Sequence, residues 1–173
     1  MLHPQRASAV SAAISAAAAL LAVMLSGSAA LAQDVSVGKQ IYSSKAGCPF
    51  CHGWAGDGHG DPRSEGGAPT LRTSQLTRDQ VAEVIQCGRP GTGMPYHDRF
   101  AYTDKRCYGM NSEDVGSLKP RRGDQTLQKD EIQAVADYVS AKIIGHPAVT
   151  KEECIEYFGS EIGECKLIEQ RKG

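Results

Sequence analysis

One stretch, Cys48-Pro49-Phe50-Cys51-His52, restricts this chain more than any other. Two thiols three positions apart can act together, and at that spacing they serve one of three chemistries. A Cys-x-x-Cys with an internal proline is a redox dithiol when it lies between a strand and a helix of a βαβ unit. The same pair is half of a zinc site when a second close pair completes four ligands. With histidine directly after the second cysteine, it is the attachment site of a c-type haem, the sulfurs forming thioethers and the imidazole lying under the iron. Each chemistry needs different surroundings, so the rest of the chain separates them.

The first surroundings are those of export. Arg6 precedes an almost uninterrupted apolar run from Ala9 to Leu25, and Ala30-Leu31-Ala32 places small residues where a signal peptidase cuts. We read residues 1–32 as a signal peptide and the mature chain as a periplasmic protein of one domain and a tail. The alternative is an uncleaved anchor, since the run approaches the roughly 18 residues that can cross a bilayer; its alanine content and the cleavage pattern favour removal. No membrane span is then expected in the mature chain. Losing Arg6 leaves 18 basic and 20 acidic side chains, a balance that argues against nucleic acid as a partner. Six cysteines in an exported chain are expected to be covalently used or oxidised in pairs.

The pattern downstream is helical. Val37 to Ser44 is short and mixed, and Gly53 to Gly67 is a glycine-rich loop. Thr77 with Gln80 fits a capping box opening a helix that carries Val81, Val84 and Ile85 on one face, and Gly88 and Pro90 end it. Residues 95–126 form a long loop-like insertion with Tyr96, Tyr102, Cys107, Tyr108 and Met110; a loop of that length has a function or a staple. Ile132, Val135, Ala136, Val139 and Ile143 then repeat at helical spacing up to Gly145 and Pro147. Thr150 with Glu153 opens one more short helix, Lys151 to Phe158, in an acidic tail spanning 146–173. No alternation suits a sheet, which removes the strand a thioredoxin-like dithiol requires. Cys87 and Cys107 are too dispersed to complete a zinc site with Cys48 and Cys51. One covalent haem c remains, and it alone uses the histidine.

With those residues in view, the chain resembles a class I c-type cytochrome. Gly38-Lys39-Gln40-Ile41-Tyr42 is similar to the family's first helix, with Gly38 where the last helix crosses closely. Ala68-Pro69-Thr70-Leu71 is similar to its Pro-x-Leu segment, Gly88 through Gly93-Met94-Pro95 to its distal-ligand loop, and Asp130-Glu131-Ile132 to Tyr138-Val139 to its closing helix. The resemblance implies an all-α fold, three to five helices around one covalent haem with little or no sheet, over residues 33–145. It implies that His52 and Met94 are the axial ligands, that the Pro69 carbonyl holds the His52 imidazole, and that Leu71 packs on the porphyrin. His97 and Met110 compete with Met94 for the sixth position, His97 otherwise being a loop histidine and Met110 a core or lid residue. Trp54 is expected to pack or to donate to a haem propionate, and His59 to be exposed.

Cys87, Cys107, Cys154 and Cys165 allow three connectivities, and pairing Cys87 with Cys107 and Cys154 with Cys165 closes local loops. Lys119, Arg121 and Arg122 form a tight basic cluster, a rim for an acidic partner or simply a solvated loop. A six-coordinate iron leaves no position for substrate, so the resemblance implies an electron-transfer protein and no enzyme. Its partners are then a redox donor and acceptor, a dehydrogenase or a membrane respiratory complex. The alternatives are a dedicated cytochrome subunit of a larger dehydrogenase or oxidase, and a haem enzyme or gas sensor in which Met94 leaves the iron.

Overall fold

A computed structural model describes residues 35–64 and 67–170; the expected signal peptide lies outside the described residues. Two helices form the centre. Helix α1 (35–45) widens into a π-turn over Ile41–Lys45 and buries Ile41 and Tyr42. A single turn, α2, follows at Pro49–His52, and α3 runs from Arg78 to Cys87. The Thr77 hydroxyl accepts from the Gln80 N–H, and the Gln80 side chain accepts from the Thr77 N–H at 2.9 Å, as the sequence pattern predicts. Helix α4 is the turn Ser112–Val115, and α5 is Lys129–Lys142.

Packing of α3 on α5 makes the core. Val81, Ala82 and Ile85 face Ile132, Val135, Ala136 and Val139, with Ile41, Tyr42, Leu127 and Ile143 closing the cluster. Each fully buried aliphatic side chain there contributes about 1.5–3 kcal/mol by leaving water. Arg78 fastens the pair from the rim, its Nε and Nη2 donating to the Asp137 carboxylate at 2.7 and 3.0 Å. Helix α1 crosses α5 so closely that a Cβ on Gly38 would lie 2.0 Å from the Ala134 carbonyl oxygen. Only a residue without a side chain permits that crossing.

The insertion departs from the loop expected for residues 95–126. It has a small core of its own, Cys87, Ala101, Tyr102, Cys107 and Val115 with Tyr96 and Met110 packed on it. Its α4 is opened by Asn111, whose side chain accepts from the N–H groups of Glu113 and Asp114 while Asp114 accepts from the Asn111 N–H. The capping chemistry is ordinary; no apolar run follows it, and that is why sequence pattern alone passes over the helix.

The tail holds two helices, α6 (Lys151–Phe158) and α7 (Gly163–Gln170), where one was expected. Residues after Gly163 offer no capping signal and few apolar positions. What α7 has is a staple: Cys154 and Cys165 are bonded at 2.07 Å and share a small core with Ile168, Trp54, Val149, Ile155 and Ile162. Lys39 on α1 donates to the Glu156 and Tyr157 carbonyls at 3.0 and 2.7 Å, supplying a cation where the end of α6 presents unpaired carbonyls. The tail therefore packs on the helical body. Among the described residues there is no strand, only isolated bridges between Tyr96 and Arg122 and between Cys107 and Met110, so the described part is all-α. No described helix is long and apolar enough to cross a membrane.

Candidate functional site

Cys48, Cys51 and His52 stand at one end of the core because α2 is a single turn started by proline. Pro49 sits in the first turn, where the N–H it lacks would have had no helical partner. The His52 N–H donates to the Cys48 carbonyl at 2.9 Å. Positions i, i+3 and i+4 of such a turn share a face, so the two thiols and the imidazole lie on the same side of α2. They do not converge as a chelating group: among the described residues, no three His, Cys, Asp or Glu side chains gather as a metal ion would need.

The glycine-rich loop folds back over this turn. Gly58 N–H donates to the His52 carbonyl at 2.9 Å and Asp61 N–H to that of Phe50 at 2.8 Å, satisfying groups that a helix end leaves open. A Cβ at Gly60 would come within 2.4 Å of the Phe50 oxygen. The loop then brings Pro69 and Leu71 alongside. Leu71 N–H donates to the Gly56 carbonyl at 2.7 Å, and a Cβ on Gly58 would meet the Ala68 oxygen at 2.9 Å and the Pro69 carbonyl carbon at 3.4 Å. Leu71, like Cys48, packs partly buried against the core.

Burial pushes the His52 pKa down, which keeps the imidazole neutral, and the Pro69 backbone opposes that shift. His52 Nδ1 is buried, yet it makes no hydrogen bond of ordinary geometry, so the Pro69 carbonyl is a neighbour short of a bonded partner. The Tyr42 hydroxyl, fully buried, donates at 2.8 Å to the carbonyl of Gly53, the residue after His52. Cys48 and Cys51 are unpaired and only half-buried. Protein packed around the Cys48 thiol nevertheless pushes its pKa up to about 12.

Met94 is on a separate loop at the end of α3. Gly88 takes a φ of 64°, and a Cβ there would lie 2.6 Å from the Met94 carbonyl oxygen. Arg89 N–H donates to that oxygen at 3.2 Å, and Met94 N–H donates to the Thr92 hydroxyl at 3.2 Å. Met94 itself is half-buried. The two other candidate side chains have contacts of their own. His97 lies in a loop, as expected, and is buried there, with Nδ1 2.9 Å from the Gln125 carbonyl and its ring against Gly123. Met110 packs on the core of the insertion.

Both expected disulfides form. Cys87 bonds to Cys107 with Cα atoms 5.4 Å apart, tying the end of α3 to the insertion, and Cys154 bonds to Cys165. His59 is exposed as expected and lies 3.2 Å from Asp57. Trp54 packs, the first of its two expected roles: its ring meets Tyr157 and Phe158, and its N–H donates to Glu164 at 2.9 Å. Lys119, Arg121 and Arg122 are exposed, and Lys119 donates to the Ser112 hydroxyl near the Tyr96 and Tyr102 rings.

Sequence reasoning misses Arg72. It is 3 % exposed and donates to the Ala55 carbonyl at 2.9 Å, the Ala148 carbonyl at 2.7 Å and the Glu153 carboxylate at 2.9 Å. An arginine placed directly after Pro69-Thr70-Leu71 is the available signal, but its partner Glu153 reads in sequence as a helix cap alone. No protein-family model matches the chain, and no curated protein or solved structure matches it.

Proposed function

We propose that this protein is a class I c-type cytochrome, an exported one-electron carrier with His/Met axial ligation. The observation that carries the reading is the sorting of its cysteines. Four are oxidised in two local bridges, whereas Cys48 and Cys51, closest of all in sequence, stay unpaired on the face they share with His52. Thiols so placed in an exported chain are reserved for another bond.

In this reading Cys48 and Cys51 hold the porphyrin as thioethers and His52 ligates the iron. The Pro69 carbonyl orients the imidazole, as a partner on the far nitrogen does for metal-ligating histidines generally. The buried, unbonded Nδ1 with the Pro69 backbone as its neighbour fits that role. Leu71 would supply an apolar contact, and Met94, on the loop after α3, would supply the sixth ligand. When bound, the group supplies a one-electron couple, with thioether ligation favouring ferrous iron and so a high potential. The chain supplies rigidity: capped helices and two stapled loops hold the ligand-bearing segments in one arrangement through a change of oxidation state. The insertion, cored and stapled beside the Met94 loop, favours as a second reading a dedicated subunit that docks on a larger redox enzyme.

The test is covalent attachment together with ligand identity. Haem should remain on the chain after denaturation, with Cys48 and Cys51 resistant to alkylation, and Met94→Ala should change the oxidised spectrum. Free thiols at both positions would refute the haem, an unchanged Met94→Ala spectrum the ligand. Rapid, full carbon monoxide binding to the reduced protein would refute the carrier. Recovery of a stoichiometric partner from native extracts would select the subunit.

A further inference from the structure

The last two backbone carbonyls before the Met94 loop are held by the same kind of side chain. Tyr102 Oη donates to the Cys87 carbonyl at 2.9 Å, and Tyr108 Oη donates to the Gly88 carbonyl at 2.6 Å. Carbonyls at a helix C-terminus lack intrahelical partners and are usually left to water or to a glycine turn. Here both are met from the insertion, and Cys107, between the two tyrosines in sequence, is bonded to Cys87 itself.

The two tyrosines adopt an unfavourable backbone to do this. Tyr102 has φ of 62° and Tyr108 of 54°, and among the described residues no other non-glycine has a positive φ. Bulky residues hold the left-handed region only where their surroundings over-determine it, and such positions cluster at functional sites. Tyr102 is 1 % exposed, so its hydroxyl needs a protein partner. Burial pushes the Tyr108 phenol up to about 12, so it remains a donor throughout the neutral range.

Their targets are Gly88, against which the Met94 backbone lies, and Cys87, the residue before it. Gly88 is so close under Met94 that a Cβ would strike the Met94 carbonyl oxygen, and Arg89 N–H donates to that oxygen. We propose that Tyr102 and Tyr108 are positioning residues: their two hydroxyl-to-carbonyl bonds fix the Cys87-Gly88 backbone and, through it, the Met94 loop. The effect on the backbone follows from these bonds alone; the effect on the iron rests on the proposed ligation by Met94.

Tyr102→Phe, Tyr108→Phe and the double variant keep the rings and remove only the hydroxyls. Amide hydrogen exchange across residues 88–97 is measured in each haem-loaded protein, together with the sulfur-to-iron charge-transfer band. Met94→Ala and Tyr157→Phe, whose hydroxyl serves Ser43 away from this loop, are the controls. The double variant should exchange the loop amides at least tenfold faster than wild type, with core amides of α5 unchanged and the band weakened; Tyr157→Phe should leave the loop as it was. Wild-type loop exchange, or acceleration shared equally by α5, would overturn the proposal. If Met94→Ala leaves the spectrum untouched, the ligand assignment fails while the exchange data still decide the clamp. Should the buried Tyr102 variant not accumulate, Tyr108→Phe alone, at a partly exposed position, gives the same comparison with an expected increase of about threefold, and no increase overturns the proposal.

Discussion

The Arg72 guanidinium, buried beneath the loop that follows His52, meets the Glu153 carboxylate at 2.9 Å from 81 residues away. One arginine thereby joins three segments: the loop through Ala55, the linker through Ala148 and α6 through Glu153. Removing one partner of such a pair leaves charged and polar groups buried without a mate, at a cost of about 3–5 kcal/mol. Arg72→Leu should lower unfolding free energy by an amount in that range. Glu153→Gln, which can still accept from Thr150 N–H, should cost less. A double-mutant cycle in denaturant checks the coupling, and a coupling near zero would show that the contact contributes nothing.

The helix crossing at Gly38 admits no side chain. Gly38→Ala should destabilise by about 3 kcal/mol, as overpacking against backbone does. A methyl on Gly47 would have no neighbour within 4 Å, but that residue holds φ of 65°. Gly47→Ala should therefore cost only the strain of that backbone, about 1 kcal/mol. Urea midpoints at unchanged slope would measure both, and equal losses would contradict the crowding at Gly38.

Alkylation without reduction should label none of Cys87, Cys107, Cys154 and Cys165. Replacing both members of either bridge should cost about 2–4 kcal/mol, since a cross-link limits the unfolded chain. Loss of Cys154–Cys165 should loosen α7 first, because the core there is small. Thermal unfolding with limited proteolysis reads both, and an undiminished tail would count against the staple.

Lys45, by its ion pair, and then the Gln128 N–H hold the Glu131 pKa below the usual 4.5. A carboxylate with a depressed folded pKa adds stability that is present above the ordinary value and lost as pH falls through the folded one. Stability should thus decline as the solution is acidified below about pH 4.5. Glu131→Gln keeps an acceptor for the cap and loses the charge. It should be about 0.5 kcal/mol less stable at neutral pH, the pair being partly exposed and screened, and should converge with wild type in acid. Parallel curves for the two proteins would rule out this contribution.

Much of the fold is legible because its signals are local. The capping boxes at Thr77 and Thr150 each need only residues three apart, and both bridges close short loops. The same box at Asn111 escapes notice because no apolar run follows it, and α7 because a disulfide and a small core stand where a strong pattern would be. In the site, α2 places Cys48, Cys51 and His52 on one face by helical geometry alone. Competition between Met94, His97 and Met110 cannot be resolved that way, since each lies in a loop; the fold distinguishes their surroundings, with His97 buried against Gly123 and Met110 packed partly buried on the core of the insertion.

By itself, then, the sequence determined the turn that sets Cys48, Cys51 and His52 on one face, most of the helix starts and stops, and the two local cysteine pairs. Tertiary structure decided who covers whom: Arg72 on Glu153, Trp54 on Glu164, Lys39 on the end of α6, and two tyrosines on Cys87 and Gly88. Contacts of the first kind are set by a few torsions between near neighbours and leave a spacing to read. Those of the second form only after the chain entropy of closing long loops has been overcome by the burial of the whole core, so no spacing records them.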